Sequence, residues 1–111
     1  MKLVFFALVL LLGYPVAAVG QGPVPVLNVE PGCRQGVTSG ADRRMTFENC
    51  MDDERRARRE LEAGWSRFAV NDRERCVALT QTGGNPSYVE VLECLKMAQD
   101  VRELERKQRS Q

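Results

Sequence analysis

The sequence predicts an all-α domain: three helices held by two disulfides, with an extended N-terminal segment, behind a cleaved signal peptide. Three observations predict it. Apolar residues recur at three- and four-residue steps between Phe47 and Leu104, the period of one helix face. The cysteines are Cys33, Cys50, Cys76 and Cys94, an even set with gaps of 17, 26 and 18 positions. Such a set in a short exported chain reads as a disulfide framework; a thiolate zinc site shows close C-x₂₋₄-C pairs, and none is present. The third observation is the start of the chain.

Lys2 is followed by the apolar run Leu3 to Leu12, then Gly13, Tyr14, Pro15 and small residues from Val16 to Gly22. A basic start, a short apolar segment and a small-residue exit make a secretory signal. The run is too short to cross a hydrocarbon core of roughly 30 Å as a permanent helix. Cleavage fits after Ala18 or after Gly20. The second is preferred, so residues 1–20 are the expected signal peptide and the mature chain begins near Gln21. No cysteine stands at the junction to take a lipid anchor. The whole sequence of 111 residues carries 16 Lys and Arg against 15 Asp and Glu. Lys2 is the one charged residue among the first twenty, so the mature chain has no formal net charge. A general nucleic-acid binder needs excess positive charge to displace counterions, and this chain lacks it.

Residues 21–45 read as an extended Pro/Gly-rich segment followed by a loop. The prolines of "QGPVPVLNVEPG" oppose a helix. Val24, Val26, Leu27 and Val29 are too apolar for a free tail, so the segment is expected to lie across the helical core, pinned at Cys33. Residues 46–104 hold the three helices. The first starts at Thr46, whose hydroxyl suits an N-cap, and buries Phe47, Cys50, Met51, Ala57, Leu61, Trp65 and Phe68. Its other face, "DDERRARRELE", is a solvated run with opposite charges four apart, each pair contributing about 0.2–0.5 kcal/mol. The second helix opens at Asn71 with Glu74 as a capping box, carries Cys76, Val77 and Leu79, and ends before Gly83, where positive φ is accessible. The third opens at Ser87, whose partner Glu90 completes an S-x-x-E box. Tyr88, Val91, Leu92, Leu95, Ala98, Val101 and Leu104 continue its apolar face. Residues 105–111 have no apolar face and are expected to fray.

Cys76 and Cys94 lie about equally far on either side of the turn at Gly84. An antiparallel hairpin brings them together, which selects Cys76–Cys94 and leaves Cys33–Cys50. Four cysteines allow three connectivities, and the other two stay compatible with the sequence.

The chain has no histidine, which removes Ser–His and Cys–His nucleophiles and the commonest metal ligand. No catalytic residue, metal or cofactor is expected. Asp52 with Asp53, and Glu90 with Glu93, are adjacent or near-adjacent acids on solvated faces, without the cleft that a glycosidase pair needs. Gly83, Gly84 and Ser87 precede a helix N-terminus and form a candidate anion site. They lack the spacing of a phosphate loop or a dinucleotide turn. Arg55, Arg56 and Arg59 form a candidate docking patch, although flanking acids cancel much of its field. Trp65 and Phe68 read first as core and second as an aromatic anchor for a partner. Met51 and Met97 read as core filler.

The pattern Cys50, Trp65, Phe68, Arg75-Cys76, Gly83-Gly84, Ser87-Tyr88, Glu90, Leu92, Cys94-Leu95 and Met97 resembles a family of small exported proteins of rhizobia and related alphaproteobacteria. The resemblance runs from Phe47 to Leu104. It implies an exported, helical, cysteine-bridged domain and transfers no activity or site. The expected function is that of a periplasmic or secreted interaction protein without enzymatic activity, engaging a protein or cell-envelope partner. A small-ligand or anion carrier and a hydrolase inhibitor are the alternatives.

Overall fold

The computed structural model describes Gly13, residues 22–39 and residues 45–111. The expectations about the signal segment and its cleavage lie outside the described residues, Gly13 apart, as does part of the loop before Thr46. Among the described residues the fold is helical, without a strand. α1 spans Glu30–Ser39, α2 spans Phe47–Gly64, a 3₁₀ turn follows at Trp65–Arg67, α3 spans Val70–Thr82 and α4 spans Tyr88–Arg109. The all-α class and both disulfides hold: Cys33–Cys50 has a Cα–Cα distance of 5.5 Å and Cys76–Cys94 one of 5.7 Å.

The expected count of three helices is corrected by α1, which lies where an extended segment and a loop were expected. Pro31 does not break it, because it sits in the first turn, where a missing N–H costs nothing. The Cys33 N–H donates to Val29 O at 3.2 Å and starts the helical bonding. Cys33 is buried, and its bridge to Cys50 fixes α1 on α2.

Upstream of α1 the chain behaves as expected. Leu27 and Val29 are buried and Val24 packs against the core, while Val26 points to solvent. Backbone polar groups in this strap are satisfied by core side chains. The Leu27 N–H donates to the Tyr88 hydroxyl at 2.8 Å, and that hydroxyl donates to Pro25 O at 3.0 Å. The Trp65 indole N–H donates to Gly22 O at 2.9 Å.

α2 begins as the sequence indicates: the Thr46 hydroxyl accepts from the Asn49 N–H at 3.1 Å. Ala57, Leu61 and Trp65 carry its apolar face into a core completed by Phe68, Val77, Val91, Leu92 and Leu95. The expected capping box of the next helix is a correction. α3 starts at Val70 behind Ala69, with no side-chain cap, and Asn71 lies inside the helix and is exposed. The 3₁₀ turn delivers the chain instead, closed by Phe68 N–H to Trp65 O at 3.2 Å. At the α3–α4 turn only Gly84 adopts positive φ, at 91°; Gly83 stays right-handed at −73°.

α3 runs antiparallel to α4, as the Cys76–Cys94 and Asp72–Arg102 pairs show. α2 runs parallel to α4, since Glu54 meets Tyr88 and Glu60 meets Lys96 further along. α4 also corrects the expected fraying after Leu104. It continues to Arg109, supported by Lys107–Glu103 at 3.0 Å and Arg109–Glu105 at 4.0 Å. Basic residues in its last turn complement the negative end of the helix dipole.

Candidate functional site

Three surfaces carry the residues singled out from the sequence. The arginine face of α2 is the first. Arg55 pairs with Asp52, Arg56 with Asp53 at 3.4 Å, and Arg58 with Glu62 at 2.8 Å. Two of these pairs are three residues apart where four was expected. Arg59 is exposed beside them. Salt-bridged, solvated and interleaved with acids, this face presents little net field. Trp65 and Phe68 do not extend it. Both are buried, and the Arg73 guanidinium stacks 5.4 Å from the Trp65 ring, so the aromatic-anchor expectation is corrected in favour of core.

The Gly83–Ser87 corner is the second surface. The N-terminus of α4 is indeed a place for an anion, and the chain supplies its own. Glu54, on α2, is 7% exposed. Its carboxylate accepts from the Ser87 hydroxyl at 2.6 Å and from the Tyr88 N–H at 2.7 Å. The Ser87 hydroxyl in turn accepts from the Glu90 N–H at 3.2 Å, one half of the expected capping box; the other half is corrected, since the Glu90 carboxylate reaches the Ser87 N–H only through Thr80. Thr80 completes the corner: its hydroxyl accepts from the Ser87 N–H and donates to Glu90, both at 2.9 Å. Two donors at this N-terminus, the Ser87 hydroxyl and the Tyr88 N–H, are therefore engaged by a buried internal carboxylate. One signal in the sequence marks Glu54. Along the face Met51, Ala57, Leu61 and Trp65, it fills the helical step where an apolar residue was due.

The third surface is the free half of α4, with the grooves on either side of the helix. Met97, Val101 and Leu104 are 62%, 53% and 59% exposed. They were expected to be core, and the physical reason for the correction is helical register and reach. Steps of three from Leu95 through Ala98 and Val101 to Leu104 turn about 60° each, so the run leaves the face that carries Leu95 into the core, and Met97, two residues from Leu95, lies on the far side. Past Arg102, which pairs with Asp72 near the start of α3, neither α2 nor α3 is alongside among the described residues. Leu79, on the α3 face shared with Asp72, Arg75 and Cys76, is also exposed. Between α3 and α4 a groove of about 420 Å³ is lined by Cys94, Met97, Ala98 and Val101, with Asp72, Arg75, Arg102 and Glu105 at its edges. A second groove, of about 480 Å³ between α2 and α4, has Ala57, Leu92 and Val89 among its lining, and Glu60–Lys96 at 3.5 Å on its rim. Among the described residues no three His, Cys, Asp or Glu side chains gather where they could hold a metal ion.

Asp72 anchors the first groove. Buried, it accepts from Arg102 at 2.7 Å and from Arg75 at 3.1 Å. The Arg102 hydrogen bond holds its carboxyl below the usual range, against desolvation, which acts in the opposite direction. A depressed native pKa contributes stability above the unfolded value of about 3.9 and loses it as pH falls through the native value. Asp72→Asn is therefore expected to melt lower than the parent at pH 7. The two melting curves should converge as pH drops from about 4 towards 2, because the parent then loses the same charge. A gap that stays constant across that range would remove the ion pair from the account.

No protein-family model, curated protein or solved structure matches this chain. Among the described residues no helix is long and apolar enough to cross a membrane, and two disulfides indicate an oxidising compartment.

Proposed function

We propose that the chain is an exported, non-enzymatic interaction module that docks a partner helix along the exposed stripe of α4. The observation that carries this reading is the overhang. α4 holds helical geometry past its supports while presenting Met97, Val101 and Leu104 at steps of four and three residues. That spacing is the anchor pattern of helix-to-helix recognition. A monomer has no use for such a stripe, since exposed apolar side chains aligned on one face raise the risk of non-specific association. The signal-like leader in the sequence and the disulfides together support periplasmic or secreted placement. The resemblance to small exported helical proteins of alphaproteobacteria accords with it. The carrier alternative is weakened because Glu54 already engages the Ser87 and Tyr88 donors.

A photo-crosslinking residue at Val101, in the protein expressed and exported by its own cells, tests the reading. The same residue at Arg106, half a turn away from the stripe on α4, is the control. A discrete adduct from position 101 and none from 106 is the expected result. No adduct from 101, or equal labelling from both positions, would overturn the docking stripe.

A further inference from the structure

We infer that the helix docked on α4 is a second copy of the same α4, running antiparallel, so that the module is a two-fold dimer. The inference rests on the docking reading above and gives it a partner. Three features of α4 lead to it.

The first is length. Among the described residues α4 runs on past Arg102, its ion-pair contact with α3, as far as Arg109. When two copies are placed antiparallel with residue 103 beside residue 102 of the other copy, Arg109 falls beside Lys96. Each extension then lies along the other copy's exposed stripe, the self-complementary arrangement that a two-fold interface demands.

The second is register. In the same placement Val101 meets Leu104 of the other copy, Leu104 meets Val101, and Met97 meets Gln108. Val101 and Leu104, exposed in the single chain, are thus paired without a shift, and Met97 lies against the side chain of Gln108. Met97, Val101, Leu104 and Gln108 occupy the seam positions of a short antiparallel coiled coil.

The third is charge, and it decides orientation. Asp100 and Lys107 flank the stripe on one side, and Glu105 flanks it on the other. In the antiparallel placement Asp100 faces Lys107 of the other copy, twice by symmetry. In a parallel pair Asp100 would face Glu105 of the other copy, twice, as like charges. Asp100 has no ion-pair partner within its own chain among the described residues, whereas Lys107 has only the exposed pair with Glu103. Complementary flanking charges set orientation in such helix pairs. The covered surface falls in the class below about 1,200 Å², so the dimer is expected to be weak and to form at tens to hundreds of micromolar, as short-lived assemblies do.

The test is sedimentation equilibrium of the oxidised, exported protein from about 5 μM to about 1 mM, a range that brackets weak interfaces. Mass should rise from monomer to dimer across it. Leu104→Asp, at a side chain outside the core, should leave helicity and melting temperature unchanged and hold the protein monomeric. Asp100→Lys should weaken the dimer several-fold by facing Lys107, and adding Lys107→Asp should restore it. A strengthened dimer in Asp100→Lys would mean a parallel pair and overturn the proposal. A monomer at every concentration would also overturn it. If such a monomer still gave a crosslink from position 101 to a different protein, the docking reading would survive while the self-pairing failed.

Discussion

Glu54→Ala is expected to lower the free energy of unfolding by about 3–5 kcal/mol, the cost of breaking a buried, hydrogen-bonded charge site. The carboxylate accepts two hydrogen bonds at the start of α4, from Ser87 and from the Tyr88 N–H, in a position 7% exposed. Removing it strands a hydroxyl and a backbone donor, opens a cavity and takes a negative charge from the positive end of the helix dipole. In a domain of this size, that loss corresponds to a fall in melting temperature of about 12–40 °C. Glu54→Gln should cost less. Its amide oxygen can still accept from one donor, but its NH₂ confronts the other. The double variant Glu54→Ala with Ser87→Ala should cost clearly less than the sum of the two single changes, since both remove the same bond. Additive losses, or an alanine effect below about 1 kcal/mol, would show that the carboxylate merely occupies space.

Glu54 also shows what sequence reasoning reaches and where it stops. α2 and α4 were legible because each has local determinants. Thr46 and Ser87 sit where a cap must be, and the 3.6-residue period survives in Ala57, Leu61 and Trp65, and again in Val91, Leu92 and Leu95. The disulfide pairing was legible because the Gly84 turn puts Cys76 opposite Cys94. α1 was not. Its glycines and its proline argue locally against a helix, and what holds it is tertiary: the bridge from Cys33 to α2, the Asn85 amide donating to Gln35, and Arg34 over the Phe47 ring. The same limit hid the free end of α4. Periodicity shows that Val101 and Leu104 share a face with one another, but not whether a neighbouring helix lies against that face. The Gly83–Ser87 corner shows a related limit. A helix N-terminus attracts negative charge, and nothing local says whether that charge comes from a ligand or from Glu54, 33 positions upstream of Ser87.

The two disulfides close loops of almost equal length, with separations of 17 and 18 residues, and each constrains the unfolded chain by about 3 kcal/mol. Their removal should nonetheless have different consequences, because the elements they join differ in what else holds them. Cys76–Cys94 joins two helices that share a core through Val77, Val91 and Leu95. Cys76→Ala with Cys94→Ala should leave one cooperative transition, lowered by about 12–24 °C for a loss of that size. Cys33–Cys50 joins α1, a helix of ten residues with two internal glycines, to the first turn of α2. A helix that short is not stable alone, and each glycine costs about 1 kcal/mol relative to alanine. Cys33→Ala with Cys50→Ala should therefore release α1 while α2, α3 and α4 stay folded, with a smaller drop in the main transition. Amide hydrogen exchange reads the difference directly: protection over residues 30–39 is expected to vanish in this variant and to persist when the Cys76–Cys94 bridge is removed. Protection that survives over α1 without its bridge would mean that packing on α2 suffices. Cys33–Cys50 would then act, like the other bridge, through the unfolded chain.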